Sequence, residues 1–92
     1  MRITYDPAKR DRTLKERSLD FEDAPKVFAG PTFTLKDDRQ DYGETRWITA
    51  GELNGEPVVI VWTPRMRARR IISMRKCHAE EYERFAKYGG SG

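Results

Sequence analysis

The sequence predicts an α+β domain: a short N-terminal strand and two helices, an antiparallel sheet of three to four further strands, then a C-terminal helix. Three observations carry this. Asp6-Pro7 and Asp20 are helix-start signals in the first quarter of the chain. From residue 32 to 76 the pattern becomes strand-like, with Asn54-Gly55 marking a tight hairpin. The stretch CHAEEYERFAKYGG then returns to helical spacing.

RITY (2–5) is a short β-type run. Asp6 can accept backbone N–H bonds at an N-cap, and Pro7 suits the first helical position. The helix through about Arg17 is very polar, and only Ala8 and Leu14 are apolar enough to turn inward. After Asp20, the residues Phe21, Ala24, Val27 and Phe28 share one helical face. Pro25 interrupts them, so either the helix kinks or one turn precedes a short helix. Gly30-Pro31 ends it. TFTLKD (32–37) alternates, DDRQDYG (37–43) is a loop, and ETRWITAGEL (44–53) alternates again. In that strand Trp47, Thr49, Gly51 and Leu53 share one side. PVVIVWT (57–63) is a continuous apolar run, as expected of a central strand buried on both faces. A turn near 64–68 leads to the strand ARRIISMRK (68–76). In the last helix Ala79, Tyr82, Phe85 and Ala86 share a face. Glu80 and Glu81 near its start, and Arg84 and Lys87 near its end, suit the helix dipole.

Ninety-two residues make one domain, here residues 1–88, with GGSG (89–92) expected as a flexible tail. No apolar run approaches the ~20 residues of a membrane span, and the N-terminus lacks the apolar core of a signal peptide. A single cysteine, Cys77, forms no internal disulfide, so a reducing, cytoplasmic setting is expected. There is no Gly-rich phosphate loop, Ser/His/Asp arrangement, Cys/His cluster or HExxH, so neither a metal nor another cofactor is expected.

The charge is unevenly placed. The chain carries +3, yet Arg65, Arg67, Arg69, Arg70, Arg75 and Lys76 form a twelve-residue stretch with six cations and no acid. Without them the rest of the chain is net negative. Strict alternation over 68–76 places Arg69, Ile71, Ser73 and Arg75 on one side and Arg70, Ile72, Met74 and Lys76 on the other. Guanidinium forks match phosphate geometry and stay charged at any working pH, so such a strand can frame a groove for RNA. The plainer alternative is a solvated edge hairpin kept soluble by charge. His78 is the only histidine, and its type suits proton transfer; a surface or capping role is the alternative. Cys77, Tyr82, Trp47 and Trp62 are read as packing residues. Lys9 stands among acids in the first helix and can extend the basic surface if that helix packs beside the strand ends.

The ordered set YDPAKR, LDFEDAPKVFAGP (19–31), DDRQDYGETRW (37–47), GELNGEPVVIVWTPR (51–65) and RRIISMRK (69–76) resembles the BrnT family. These are small ribonuclease toxins of bacterial type II toxin–antitoxin modules with a RelE-like fold. The resemblance covers roughly residues 3 to 86. It implies RNA cleavage without a metal and inhibition of translation. It also implies tight binding to a BrnA-like antitoxin, through which alone operator DNA is contacted. It places recurring basic positions at Lys9, Arg65 and Arg75. Arg65 and Arg75 would stabilise the phosphate in the transition state, with His78 or Glu81 moving the proton. Arg46, Arg67, Arg69, Arg70 and Lys76 complete the expected RNA-binding set. Pro25 is unusual for its helix in the family, and two further features depart from the family pattern. Where many members read N-L-x-K-H-G this chain has TLKERS, with Arg17 and Ser18 in place of histidine and glycine. Cys77 and His78 replace a small residue and threonine. A reading of another class is a non-catalytic RNA- or partner-binding module that uses the groove around residues 65–76.

Overall fold

The computed structural model describes residues 1–91; Gly92, the last residue of the tail read as flexible, lies outside the described residues. A six-stranded sheet forms the frame. In chain order the elements are β1 (Ile3–Tyr5), α1 (Pro7–Arg17), a 3-10 turn (Phe21–Asp23), α2 (Ala24–Ala29), β2 (Phe33–Lys36), β3 (Trp47–Leu53), β4 (Glu56–Arg65), β5 (Ala68–Lys76), α3 (Ala79–Tyr88) and β6 (Gly90–Ser91). The strand order is β1-β5-β4-β3-β2-β6. β2 to β5 form antiparallel pairs, as the hairpin signals predict. β1 is the exception and pairs parallel with β5, with Ile3 opposite Arg69 and Tyr5 opposite Ile71.

The start signals work as the residue types require. The Asp6 carboxylate accepts the Ala8 N–H at 3.0 Å and caps α1. Asp20 accepts the Glu22 N–H at 3.0 Å. Pro25 sits in the first turn of α2, so its missing N–H breaks no helical bond; a single turn precedes a short helix rather than one kinked helix. Ser18 ends α1 in the left-handed region, at φ 57 and ψ 32. Asn54 and Gly55, at φ 53 and 82, form the β3–β4 turn.

The apolar expectation for α1 is not met. Leu14 is 44% exposed and Ala8 is exposed, while Lys9, Arg10 and Thr13 form its inner side. The helix is held by polar contacts along the β5 side of the sheet. Arg10 binds Asp20 at 2.8 and 3.1 Å, and Arg17 donates to the Met74 carbonyl at 3.0 Å.

The sheet carries packing on both faces rather than on one. On the first, Phe21, Ala24, Val27 and Leu19 pack over Val58, Ile60, Trp62, Ile71 and Met74. Thr49 lies on this face, and its hydroxyl accepts the Trp62 indole N–H at 2.8 Å, which satisfies a buried donor. On the second, α3 lays Phe85 and Tyr82 over Ala50 and Val59, with Cys77 beside them. β4 runs through the middle and is buried from Val58 to Thr63. In the tail, Gly90 and Ser91 pair with Thr34 and Phe33 and close the outer edge of β2; a sequence of Gly and Ser gives no sign of this.

A register shift in β5 sets the direction of every basic side chain in the strand. Val61 faces Ser73, but the next residue, Trp62, faces Ile71. Ile72 is therefore an extra residue, a β-bulge. Side-chain alternation reverses there. Arg69, Ile71, Met74 and Lys76 fall on the first face, and Arg70, Ser73 and Arg75 on the second. The pairing of Arg69 with Arg75 expected from strict alternation is overturned for this reason.

Candidate nucleic-acid interface

The second face is covered by α3 over β2, β3 and part of β4. Next to this cover, cations gather. Thr63 on β4 stands between Arg70 on β5 and Arg46 just before β3. Thr4 on β1 pairs with Arg70, so a row of residues crosses three strands and reaches the segment before β3. A cavity of about 390 Å³ opens there, with Arg2, Arg65, Arg67 and Arg70 among its walls and no acidic residue. Lys9 reaches toward the same row from α1. Burial lowers the pKa of its ammonium, and the positive charges of Arg46, Arg12 and Arg70 lower it further.

One acid moderates this field. Glu44 accepts from Arg46 Nε at 3.1 Å and from Arg65 Nη2 at 3.1 Å. The Arg46 bond, and then the Arg65 bond, hold its carboxyl below the ordinary range. Arg46 also lies 4.1 Å from the centre of the Tyr42 ring. The loop that carries Glu44 is stapled at its base. The Asp37 carboxylate is buried and accepts two bonds from Arg39, at 2.7 and 2.8 Å. The Asp37 N–H donates to the Arg46 carbonyl at 2.8 Å. Glu44 thus bridges the two guanidinium groups that flank the groove, much as a bound phosphate would.

Arg75 lies on the same face but far away. It is opposite Val59, while Arg65 is six residues further along β4, roughly 20 Å at the strand rise. No single phosphate lies between Arg65 and Arg75. Arg75 is instead engaged by α3: Nη1 and Nη2 donate to the two carboxylate oxygens of Glu81 at 2.8 and 2.7 Å. That fork holds the Glu81 carboxyl at about 2, so at neutral pH Glu81 is an ionised anchor with no proton to give. Burial, with the Glu81 carboxylate beside it, pushes the Cys77 thiol up to about 11, which fits a packing residue and not a thiolate nucleophile. His78 is the exposed N-cap residue of α3 and makes no capping bond with its side chain.

The other expected residues separate. Arg67 joins the arginine-lined cavity at the β4–β5 tip. Lys76 is on the first face, 3.8 Å from Glu56, both well exposed. Arg69 is on the first face too, against Phe28 and Trp62, away from the groove. Lys9, Arg46, Arg65, Arg67 and Arg70 therefore converge, Arg75, His78 and Glu81 form a second group, and Arg69 and Lys76 belong to neither. Arg2 and Glu44 escape sequence reasoning. Arg2 enters only through the parallel β1–β5 pairing, which no local pattern announces. Glu44 is one acid among several in a loop.

A family model described as ribonuclease toxin, BrnT, of type II toxin-antitoxin system matches residues 5–81. The chain belongs to this family. The match takes in α1, the acidic loop, β4, β5 and the first turn of α3, and so almost all of the BrnT surface just described. A search of curated proteins found no match. Among the described residues of this BrnT chain, no three His, Cys, Asp or Glu side chains gather where they could hold a metal ion. No described helix is long and apolar enough to cross a membrane.

Proposed function

We propose that this BrnT protein is a RelE-like, metal-independent endoribonuclease that inhibits translation in the cytoplasm and is neutralised by a BrnA-like antitoxin in a hetero-oligomeric complex. Operator DNA is contacted through the antitoxin. The observation that supports the RNA reading is the bulge at Ile72, which turns Arg70 onto the face that Lys9, Arg46 and Arg65 share. A strand of RNA lies along β5, with successive phosphates on these cations, and runs toward Arg75 and His78. The 2′-oxygen attacks the adjacent phosphorus, the bond to the 5′-oxygen breaks, and a 2′,3′-cyclic phosphate and a 5′-hydroxyl result. The 2′-hydroxyl proton leaves to a base and the 5′-oxygen receives one. His78 is the candidate for that exchange, with Arg75 stabilising the negative charge that develops on the non-bridging phosphate oxygens. Glu81 positions Arg75.

The separation of the phosphate-binding row from His78 favours one other reading, a module that binds RNA without turnover. A time course with mixed-sequence RNA in EDTA decides between them, using the wild type, Arg70→Ala and His78→Ala. Cyclic-phosphate ends, weaker binding in Arg70→Ala and lost cleavage with retained binding in His78→Ala are expected. Salt-sensitive binding with no cut, in buffer and in a translating extract alike, would leave the binding module.

A further inference from the structure

On the first face, beside the β4–β5 tip, lies a second cleft of about 480 Å³ whose walls include Met1, Trp62, Pro64, Met66, Arg67 and Arg69. Its character differs from that of the phosphate groove. Met66 is fully exposed at the tip of the hairpin and holds a left-handed φ of 53, an unfavourable conformation for an unbranched apolar residue. Met1 is 63% exposed beside it. Exposed methionines around a cleft suit adaptable apolar contact with a partner.

Arg69 forms the inner wall. Its guanidinium carbon is 4.5 Å from the Phe28 ring centre and 4.3 Å from that of Trp62. Cation–π contact offsets part of its desolvation. Nη1 is nevertheless buried with no hydrogen-bond partner, and no acid in the described residues pairs with this side chain. Burial alone lowers its pKa, with no carboxylate acting against it. Arg69 as a whole is half-buried, and its charge has no counter-ion, so a carboxylate at the open side of the guanidinium would complement it.

We propose that this cleft is the docking site for an acidic segment of a partner protein, in which one Asp or Glu pairs with Arg69 and neighbouring apolar side chains cover Trp62, Pro64 and Met66. Charge complementarity selects this occupant: Arg2, Arg67 and Arg69 line the cleft and no acid does. RNA fits less well. Arg69 lies against the rings of both Phe28 and Trp62, so the surfaces on which a base would stack are partly taken. The cleft meets the phosphate groove at the hairpin tip, where both are walled by Arg2, Met66, Arg67 and Ala68, but Trp62, Pro64 and Arg69 belong to the cleft alone, and the proposal rests on them and not on ribonuclease activity.

The test uses the full chain and an array of twelve-residue peptides, each with one Asp or Glu among Leu and Met, beside copies in which that acid is Asn or Gln. Acidic peptides are expected to bind at least tenfold more tightly than their amide copies. Arg69→Gln should remove that difference, and Arg70→Ala should leave it. The Arg69→Gln protein should keep the wild-type circular dichroism spectrum and a cooperative melt; this separates lost binding from lost folding. Equal binding of acid and amide peptides overturns the proposal. So does an Arg69→Gln variant that keeps its preference for the acidic peptides.

Discussion

Glu81→Gln tests the linkage between α3 and β5. The substitution keeps the shape of the side chain and removes the charge that accepts both Arg75 bonds. Glu81 titrates at about 2 in the folded protein, against its ordinary 4.5. A shift of that size corresponds to roughly 3 kcal/mol if all of it reflects folding. The Arg75 side chain is 42% exposed, so water screens the pair and about 1–2 kcal/mol is the stabilisation expected. The sign follows from the depressed pKa. The stabilisation is present above the unfolded value and is lost as pH falls from there toward the folded value. At neutral pH Glu81→Gln should therefore melt lower by about 4–8 °C for each kcal/mol lost. Near the folded pKa the two proteins should converge, since the wild-type carboxyl is then becoming neutral as well. Thermal melts by circular dichroism across this range measure both limits. A gap that stays constant with pH, or no gap at neutral pH, would refute the argument that the charged fork holds α3 on the sheet.

Arg70→Ala should weaken RNA binding and reduce the slope of log affinity against log salt by about one, read by fluorescence anisotropy. In the same assay Glu44→Gln should strengthen binding and steepen the slope, because it releases Arg46 and Arg65. Ser18→Gly should raise the melting temperature by a few degrees, since glycine takes the left-handed φ of 57 without the ~1–2 kcal/mol steric cost of a Cβ there. Gly51→Ala should lower it, as the new Cβ would stand 2.7 Å from a Val27 methyl carbon and 3.1 Å from one of Thr32; overpacking of this kind costs about 1–3 kcal/mol.

Elements with a local cause could be read from the chain. Asp6-Pro7, Asp20 and Asn54-Gly55 act within a few residues, and the apolar run of β4 requires cover on both faces wherever it lies. The features that build the interface have no such local cause. The extra residue at Ile72 lies in ARRIISMRK, where alternate registers leave apolar side chains on both faces, so hydrophobic pattern alone does not locate the bulge. That one residue decides which arginines meet. It moves Arg70 to the arginine-lined cavity and leaves Arg69 on the other face, against Phe28 and Trp62. The edge strands are hidden for a related reason: β1 and β6 are short, and each is fixed by a partner distant in sequence. The polar packing of α1 shows the same limit, because Arg10 and Arg17 look like solvated charges until Asp20 and the Met74 carbonyl are placed beside them.

The parallel pairing of β1 with β5 affects the order in which the molecule comes into being. Arg2 and Thr4 belong to the beginning of the chain, Arg65, Arg67 and Arg70 to its last third, and together they wall one cavity. A ribosome must make both halves before that cavity exists, and the long loop between them must close first. A partly synthesised chain has cations but no assembled groove. The cavity is therefore a product of the closed topology, present in neither part of the chain alone.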